Sequence, residues 1–315
     1  MRGGVRSTVV VVTWRGRAHL SACLDAVAAL DRPHRTVVVD NASDDGSAEL
    51  LARHPSEPEV LRLPRNLGYA GGIAAALHRA ETPFVAWLND DAAPEPGWLA
   101  ALEDALDADR GAWAAASAMR TPDGELQSAG VRLTSDGHGA DITDRPAGGA
   151  GAAEEVFGFC GGAALLRTAE LRAAGGVPER FFCYYEDTDT AWRLRLGGGR
   201  VVFVPGAGVV HLHGASTRPG SPRFHRWNER NRLLMLLRCA PARIAAAELV
   251  RFAALTSVLP LRRLRGAPVP PVNFRLVLRL RVLAEVVAMA PAALRARRSP
   301  TALGRTALWT RWSGR

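Results

Sequence analysis

Over the first 110 residues, short runs of β-branched residues alternate with stretches whose apolar positions recur at helical spacing. TVVVVT (8–13), RTVVVD (35–40), Val60–Leu63 and FVAWLN (84–89) read as strands. His19–Leu30, Gly46–Arg53, Gly72–Glu81 and Gly97–Ala108 read as helices. This alternation predicts βαβ units and an α/β fold, a mostly parallel mixed sheet flanked by helices. Such sheets bind ligands at the carboxyl ends of their strands. The polar residues just after each apolar run are therefore the ones to weigh for chemistry.

Residues 120–153 are rich in Gly, Asp, Thr and Pro and read as hairpins and loops, with a mobile Gly-rich piece at 148–151. Order resumes at Val156–Leu166, followed by a helix over Glu186–Leu196 and a strand over VVFVP (201–205). After His213 a Pro/Gly linker, GASTRPGSP, closes a first domain of residues 1–218. Three helical stretches near 223–239, 242–264 and 273–297 make a C-terminal extension, residues 219–315.

Charge divides the chain at the same point. From Pro219 onward there are 19 arginines and three acids (Glu229, Glu248, Glu285), which leaves 21 basic and 28 acidic residues before it. A basic tail on a mildly acidic body points to a surface-binding role. Within 273–297, Arg275, Arg279, Arg281 and Glu285 share one half of a helical wheel, and Phe274, Leu278, Val282, Leu283 and Val286 fill much of the rest. That pattern suits a helix lying in a membrane interface or packed on the first domain. No uncharged stretch reaches the length of a membrane span. Val9–Val12 reads as a buried strand, not a leader. All 40 basic residues are arginine, which excludes lysine Schiff-base chemistry and a Walker-type phosphate loop. Cys23, Cys160, Cys183 and Cys239 lack CxxC spacing and read as free thiols of a cytoplasmic protein.

Five constellations could carry chemistry. VVVDNASDDGS (37–47) ends a strand in Asp40, a carboxylate placed to accept hydrogen bonds from a ligand, although such residues cap helices routinely. LPRNLGYAGG (63–72) places glycines before a helix, which suits a phosphate or a plain turn. WLNDDAAP (87–94) sets Asp90 and Asp91 directly after a strand, and adjacent carboxylates with diphosphate oxygens bind Mg²⁺ or Mn²⁺. FFCYYEDTDTAWRLR (181–195) begins a helix with Glu186, Asp187 and Asp189 beside four aromatics, a cleft wall with a candidate general base. VVHLHGAS (209–216) ends a strand in His211, which could complete a metal site already holding carboxylates.

These pieces, in this order and with GFCGGAALLR and GGVPERFF between them, resemble the family 2 glycosyltransferases, especially the rhamnosyltransferase-like branch. The resemblance runs from about Val9 to Ser216, and ERNRLLMLLR (229–238) looks like the helix that follows. It implies a glycosyltransferase A fold, a divalent cation and inversion by single displacement. Thr13 and Asp40 match positions that hold the nucleotide base, Asn66 and Gly68 the donor loop, and Asp91 the metal-binding acid, with Asp90 beside it. Asp187 matches the catalytic base, Glu186 and Asp189 its acceptor-side neighbours, and His211 the metal- or diphosphate-facing histidine. The branch implies a dTDP- or UDP-sugar donor, dTDP-rhamnose foremost, and a glycan or lipid-linked acceptor; the basic C-terminal helices add an expected peripheral contact at the inner face of the plasma membrane. Trp14-Arg15 and Ile73-Ala74 depart from the family pattern near the donor pocket.

Two other classes fit parts of the chain. A sugar-nucleotide-forming nucleotidyltransferase would share the nucleotide half and the metal acids but would not need EDTD with HLHG. A non-enzymatic membrane- or nucleic-acid-binding protein would use the basic tail and leave the strand-end acids without a role; no nucleic-acid partner is expected.

Overall fold

The structure, a computed structural model, describes residues 4–145, 151–212, 220–264 and 271–314. The linker from His213 and most of the Gly-rich piece lie outside them. The first half alternates as expected: β1 (Ser7–Thr13), α1 (Leu20–Ala28), β2 (His34–Asp40), α2 (Ser47–Leu51), β3 (Glu59–Arg62), α3 (Gly68–Leu77) and β4 (Phe84–Asn89). Then come β5 (Ala92–Pro94), α4 (Trp98–Ala108), β6 (Ala112–Arg120), β7 (Leu126–Ser128), β8 (Val131–Leu133) and β9 (Gly139–Asp141). The second half holds β10 (Glu154–Val156), β11 (Ala163–Arg167), α5 (Thr168–Ala173), α6 (Glu186–Leu196) and β12 (Arg200–His211). The extension contributes α7 (Pro222–Cys239), α8 (Ala242–Leu264), α9 (Leu276–Arg297) and α10 (Arg305–Trp312).

The main sheet is mixed, in the order β10-β12-β6-β11-β4-β1-β2-β3. β4, β1, β2 and β3 are parallel neighbours, as are β6 and β12, while β11 runs antiparallel between β4 and β6. Period-2 alternation splits every buried strand between two apolar layers. Val10 and Val12 face one layer with α3, α6 and α7; Val9 and Val11 face the other with α1 and α4.

Strand β6 escapes sequence reading. AWAAASAMR has little strand propensity, yet Ala114, Ala115, Ala116 and Ala118 are all buried between β11 and β12. Small side chains let helices close on both faces there. Trp98 of α4 lies over this strand and donates its indole N–H to Ser117 at 2.8 Å.

The extension shares the core of the first domain. Leu233–Leu236 of α7, Phe252 of α8, Val282 and Val286 of α9, and Leu308 and Trp309 of α10 join one apolar layer with the sheet. Trp309 stacks on Trp192 of α6 with ring centroids 5.9 Å apart. The wheel expected for 273–297 is corrected in detail. Arg279, placed on the basic half, is buried over the Phe252 ring and donates to Thr256 Oγ1 at 2.9 Å. Glu285 turns to Arg226 and Arg230 of α7. The outer sides of the two helices keep Val250, Leu255, Val258 and Leu261 (α8) and Val277, Leu280, Val287 and Leu294 (α9) exposed. Among the described residues, Ala242–Leu261 is long and apolar enough to cross a membrane by length and composition, despite Arg243, Glu248 and Arg251, and most of it is exposed.

Candidate active site

A cavity of about 810 Å³ opens at the carboxyl end of the sheet. The parallel register sets Thr13 opposite Asp40 and Val12 opposite Asn89, so the ends of β1, β2 and β4 lie level. Past β4 the chain presents Asp90 and Asp91 on the cavity wall, both buried.

Asp91 Oδ1 lies 3.1 Å from Nε2 of His211, the last residue of β12. Gln127 orients that ring. Its amide nitrogen donates to the His211 carbonyl at 3.1 Å, so its oxygen faces Nδ1 at 2.9 Å and Nδ1 carries a proton. Nε2 is thereby aimed at Asp91 and at the Asn89 amide, 3.1 Å away. Burial alone would push the Asp91 carboxyl up, but the bond to His211 and the charges of His211 and His19 bring it below its ordinary value. An unprotonated Nε2 facing a carboxylate oxygen is repulsive unless a proton or cation lies between them. Among the described residues no three His, Cys, Asp or Glu side chains converge as a cage. One carboxylate and one imidazole leave most positions to ligand oxygens, a donor set that fits Mg²⁺ or Mn²⁺. Gln127 belongs to a stretch read as hairpins and carries no motif.

Thr13 and Asp40 sit just behind the wall, almost fully buried. Asp40 Oδ1 accepts from the Ser43 N–H at 2.8 Å. Thr13 Oγ1 and Asp90 Oδ2 have no hydrogen-bond partner among the described residues, while Asp40 Oδ2 faces Arg62 Nη1 at 3.6 Å. Gly16 keeps the space beside two of them open: a Cβ there would stand 2.2 Å from Asp90 Oδ2 and 2.3 Å from Thr13 Oγ1. Buried oxygens left without partners are rare and point to an absent ligand. Of the two departures from the family pattern, Trp14 reaches the cavity, while Arg15 turns outward to Asp44 at 2.6 Å. Ile73 and Ala74 are packed in the core.

Asn66 and Gly68 are on the wall. Asn66 Oδ1 accepts from the Gly68 N–H at 2.7 Å, and Asn41 accepts from Leu67 N and donates to Gly68 O. Gly68 has φ +74°, and a Cβ there would stand 2.1 Å from the Phe182 carbonyl. α3 therefore begins at Gly68, four residues before its expected start, because the loop is pinned against residue 182.

The segment before α6 is strained. Phe182, Tyr184 and Tyr185 all have left-handed φ, at 68°, 71° and 67°; each costs about 1–2 kcal/mol in a non-glycine residue. Asn231 of α7, fully buried, holds the segment through the carbonyls of Phe181, Cys183 and Tyr184, at 3.0, 2.9 and 2.7 Å from its Nδ2. Arg230 adds a bond to the Phe181 carbonyl at 2.6 Å. Asn231 was not singled out by sequence reading; ERNR signalled only a helix.

α6 then presents Glu186 and Asp187 to the cavity. Asp187 Oδ2 accepts from the Gly161 N–H at 2.9 Å, and Oδ1 accepts from Thr188 Oγ1 at 3.0 Å and from the Thr188 N–H. Burial raises the Asp187 carboxyl above its ordinary value, although these bonds oppose it. Burial and the neighbouring Asp187 push Glu186 well above the usual carboxylate range, and its Oε2 has no partner among the described residues. The Gly161–Gly162 turn links the two acidic sites, since Gly162 O accepts from the Asn89 N–H at 2.9 Å. Asp189 is a correction. Two residues on from Asp187 in a helix, it points about 200° away. It is fully buried, off the cavity wall, and accepts from Arg193 Nε at 2.7 Å and Arg238 Nη1 at 3.1 Å. Asp189 thus pairs with Arg193 one turn on and does not reach the acceptor side expected from the resemblance.

The model of the family described as glycosyl transferase family 2 matches residues 8–172, more than half of the chain. The chain belongs to glycosyl transferase family 2. As a glycosyltransferase it is similar to the N-acetylglucosaminyl-diphospho-decaprenol L-rhamnosyltransferase of Mycobacterium tuberculosis, 28% identical over 252 residues that cover 69% of this chain and 79% of the relative. Its fold is that of GalNAc-T7 solved with UDP, GalNAc and Mn²⁺ (TM-score 0.64, 13% identity, 93% of this chain and 57% of that one). The Pyrobaculum calidifontis mannosyltransferase PcManGT, solved with GDP-Man and Mn²⁺, is also similar (TM-score 0.51, 22% identity, 97% and 79%). These likenesses place the family 2 chain in the glycosyltransferase A fold and set aside the nucleotidyltransferase and non-enzymatic readings.

The ion pairs of Asp189 predict a stability role. Asp189→Asn removes the charge facing Arg193 and Arg238 and should cost about 3 kcal/mol or more. Urea unfolding checks this, with the exposed ion pair Arg15–Asp44 removed by Asp44→Asn as the comparison whose midpoint stays within experimental scatter of the parent.

Proposed function

We propose that this glycosyltransferase moves a sugar from a dTDP- or UDP-linked donor to an acceptor hydroxyl with inversion, using Asp187 as general base. The observation that carries the reading is the placement of Asp187: a carboxylate oriented by Gly161 and Thr188, raised by burial, in the same cavity as the strand-end acids. A base of raised pKa is better matched to an alcohol proton near neutrality than an ordinary aspartate. The hydroxyl attacks the anomeric carbon from the face opposite the leaving nucleoside diphosphate as Asp187 Oδ takes its proton. Thr13, Asp40 and Asp90 would take the base and ribose, the first and last through oxygens without hydrogen-bond partners among the described residues, and the Asn66–Gly68 turn would make the donor loop contacts. Rhamnose is the leading sugar, supported by the rhamnosyltransferase activity for which the mycobacterial relative is named.

Asp91 and His211 would hold a divalent cation. When bound, it would neutralise charge on the departing diphosphate as a Lewis acid. Gln127 keeps the His211 ring in the tautomer this needs.

The exposed apolar residues of α8 and α9 lie among Arg243, Arg251, Arg275, Arg281, Arg295 and Arg298, all exposed. This combination supports docking on an anionic membrane surface, the inner face of the plasma membrane, where a lipid-linked acceptor would be presented.

Three measurements follow from these assignments. Asp187→Asn should lower kcat by about a hundredfold or more with donor KM little changed. In the parent, kcat should fall as pH drops through the raised pKa of the base, on a limb above the usual aspartate range; a limb in that ordinary range, or near-parental kcat in the variant, would move the base elsewhere. EDTA should abolish nucleoside diphosphate release, Mn²⁺ should restore it, and Asp91→Ala should stay inactive with Mn²⁺ present; full activity in EDTA would remove the metal role of Asp91 and His211. Finally, the protein should pellet with phosphatidylglycerol-rich liposomes at low salt, and the double variant Val277→Asp, Leu280→Asp should stay in the supernatant.

A further inference from the structure

The chain just before α6 adopts a conformation that its own residues do not favour. Residues 181–185 read Phe-Phe-Cys-Tyr-Tyr, with no glycine, asparagine or aspartate to take left-handed φ readily. Phe182 nevertheless sits at φ 68° and ψ −63°, and the Cys183 N–H donates to the Phe181 carbonyl at 2.8 Å. That is a γ-turn of the rarer, strained hand. Tyr184 and Tyr185 follow in the left-handed region, and Tyr185 leads into α6 without a side-chain cap. Such a run persists only where its surroundings over-determine it. Here they act on the backbone: each carbonyl from 181 to 184 accepts from a group outside the segment. Phe181 O accepts from Arg230 Nη2 at 2.6 Å and from Asn231 Nδ2 at 3.0 Å. Phe182 O accepts from the Ala70 N–H at 3.1 Å. Cys183 O and Tyr184 O accept from Asn231 Nδ2 at 2.9 and 2.7 Å. One amide nitrogen serves three carbonyls with its two hydrogens, so a hydrogen is shared. The orientation of that amide is fixed in turn. Asn231 Oδ1 accepts from Arg230 Nε at 2.9 Å, and Arg230 faces Glu285 of α9 at 3.4 Å.

We propose that Asn231, oriented by Arg230, is a positioning residue of the transfer reaction, holding residues 181–185 in the left-handed form that sets Asp187 against the Gly161 turn. The inference rests on Asp187 as the base of the proposed transfer, because Asn231 touches no reacting atom and acts through that residue. Asp187 lies three positions beyond Tyr184. A segment relaxed to right-handed φ would start α6 along another direction and swing the carboxyl off the Gly161 N–H, 2.9 Å away. A shift of about 1 Å at a reacting group can cost roughly a hundredfold in rate. The donor loop has anchors of its own: Asn41 bonds Leu67 N and Gly68 O, and Asn66 bonds the Gly68 N–H. It meets the segment through the Ala70 N–H and the packing of Gly68 on the Phe182 carbonyl. Loss of the Asn231 amide therefore falls on turnover and spares nucleotide binding.

The test sets alanine against glycine at position 184. Both remove the tyrosine ring, and only glycine takes left-handed φ without strain. Tyr184→Ala and Tyr184→Gly are each made alone and together with Asn231→Asp, which keeps the size of the side chain and removes its N–H donors. Turnover is read in the full chain with Mn²⁺ as nucleoside diphosphate released to water, which must also lose a proton. The donor is whichever of dTDP-rhamnose, UDP-glucose and UDP-N-acetylglucosamine the parent cleaves fastest, and calorimetry gives the Kd of dTDP and UDP. Asn231→Asp alone should lower kcat by about tenfold or more, with donor KM and nucleotide Kd within about twofold of the parent. With Asn231 in place, the glycine and alanine variants should agree within about twofold. With Asn231→Asp, glycine should exceed alanine by about fivefold or more, the strain of one left-handed residue. The acid limb of kcat should also move toward the ordinary aspartate range, because Asp187 loses part of the burial that raises it. A residue that only stabilised the fold would slow the alanine and glycine variants alike and leave the limb in place. Amide exchange adds an arm independent of turnover: Asn231→Asp should speed exchange in 181–188 and leave β1 and β4 as in the parent. If Asn231→Asp binds no nucleotide, Asn231→Ser, which keeps one donor, replaces it throughout. The proposal is overturned if Asn231→Asp turns over as the parent does, if glycine gains nothing over alanine beside it, or if exchange rises alike across the chain. Parental kcat in Asp187→Asn, with Asn231→Asp slow and rescued by glycine, would strike the base reading and leave the clamp standing. If the parent cleaves none of the three sugars, that counts against the donor reading alone and the exchange arm decides.

Discussion

The strand-end acids Asp90 and Asp91 and the helix-start acids Glu186 and Asp187 share one cavity at the end of the sheet, and their mutual repulsion is the constraint that the rest of the site answers. Each is managed differently. Asp91 has an imidazole 3.1 Å away, Asp90 a more distant one at 3.5 Å, and Asp187 three hydrogen bonds from Gly161 and Thr188. Burial and the neighbouring Asp187 push Glu186 well above the usual carboxylate range. A cavity that separates an acid held low from two acids held high can bind positive charge at one wall and accept a proton at another.

The tie between those walls is backbone, not side chain. The Gly161 N–H meets Asp187 while the Gly162 carbonyl meets the Asn89 N–H at the end of β4. Gly162 packs closely here: a Cβ would stand 2.6 Å from the Met119 methyl group and 3.3 Å from Asn89 Nδ2. Asp187 and the strand-end acids therefore keep a spacing set by β4 and β11, which pair side by side. A site carried on paired strands is stiffer than one carried on loops.

The C-terminal helices have a double character. Their inner faces belong to the core: Leu233–Leu236, Val282, Val286 and Trp309 lie in the layer that covers the sheet, and Asn231 holds a strained segment that could not persist alone. Their outer faces keep aliphatic side chains in solvent among arginines. The charge count of the tail foretold the outer face. It concealed the inner one, because Arg226, Arg230, Arg232 and Arg279 spend their charge or their hydrogen bonds inside the protein.

The α/β class, the strands of the first half, the three long helices and the acids at strand and helix starts were legible in the sequence, because period-2 and period-3.6 patterns and turn chemistry are local properties of the chain. Family motifs likewise marked Asp91, Asp187 and His211 before any geometry was known. Four features needed the tertiary structure. β6 is a strand because β11 and β12 bond to it on both sides, against the preference of its alanines. Gln127 matters only because it folds back on His211, 84 residues away. Asp189 leaves the acceptor side because the helix turns it toward Arg193 and Arg238. α7 joins the cavity because Asn231 finds three carbonyls nearly fifty residues earlier in the chain. Spacing along a chain records which side chains share an element and a face; which elements meet is decided by packing, and that information is not local.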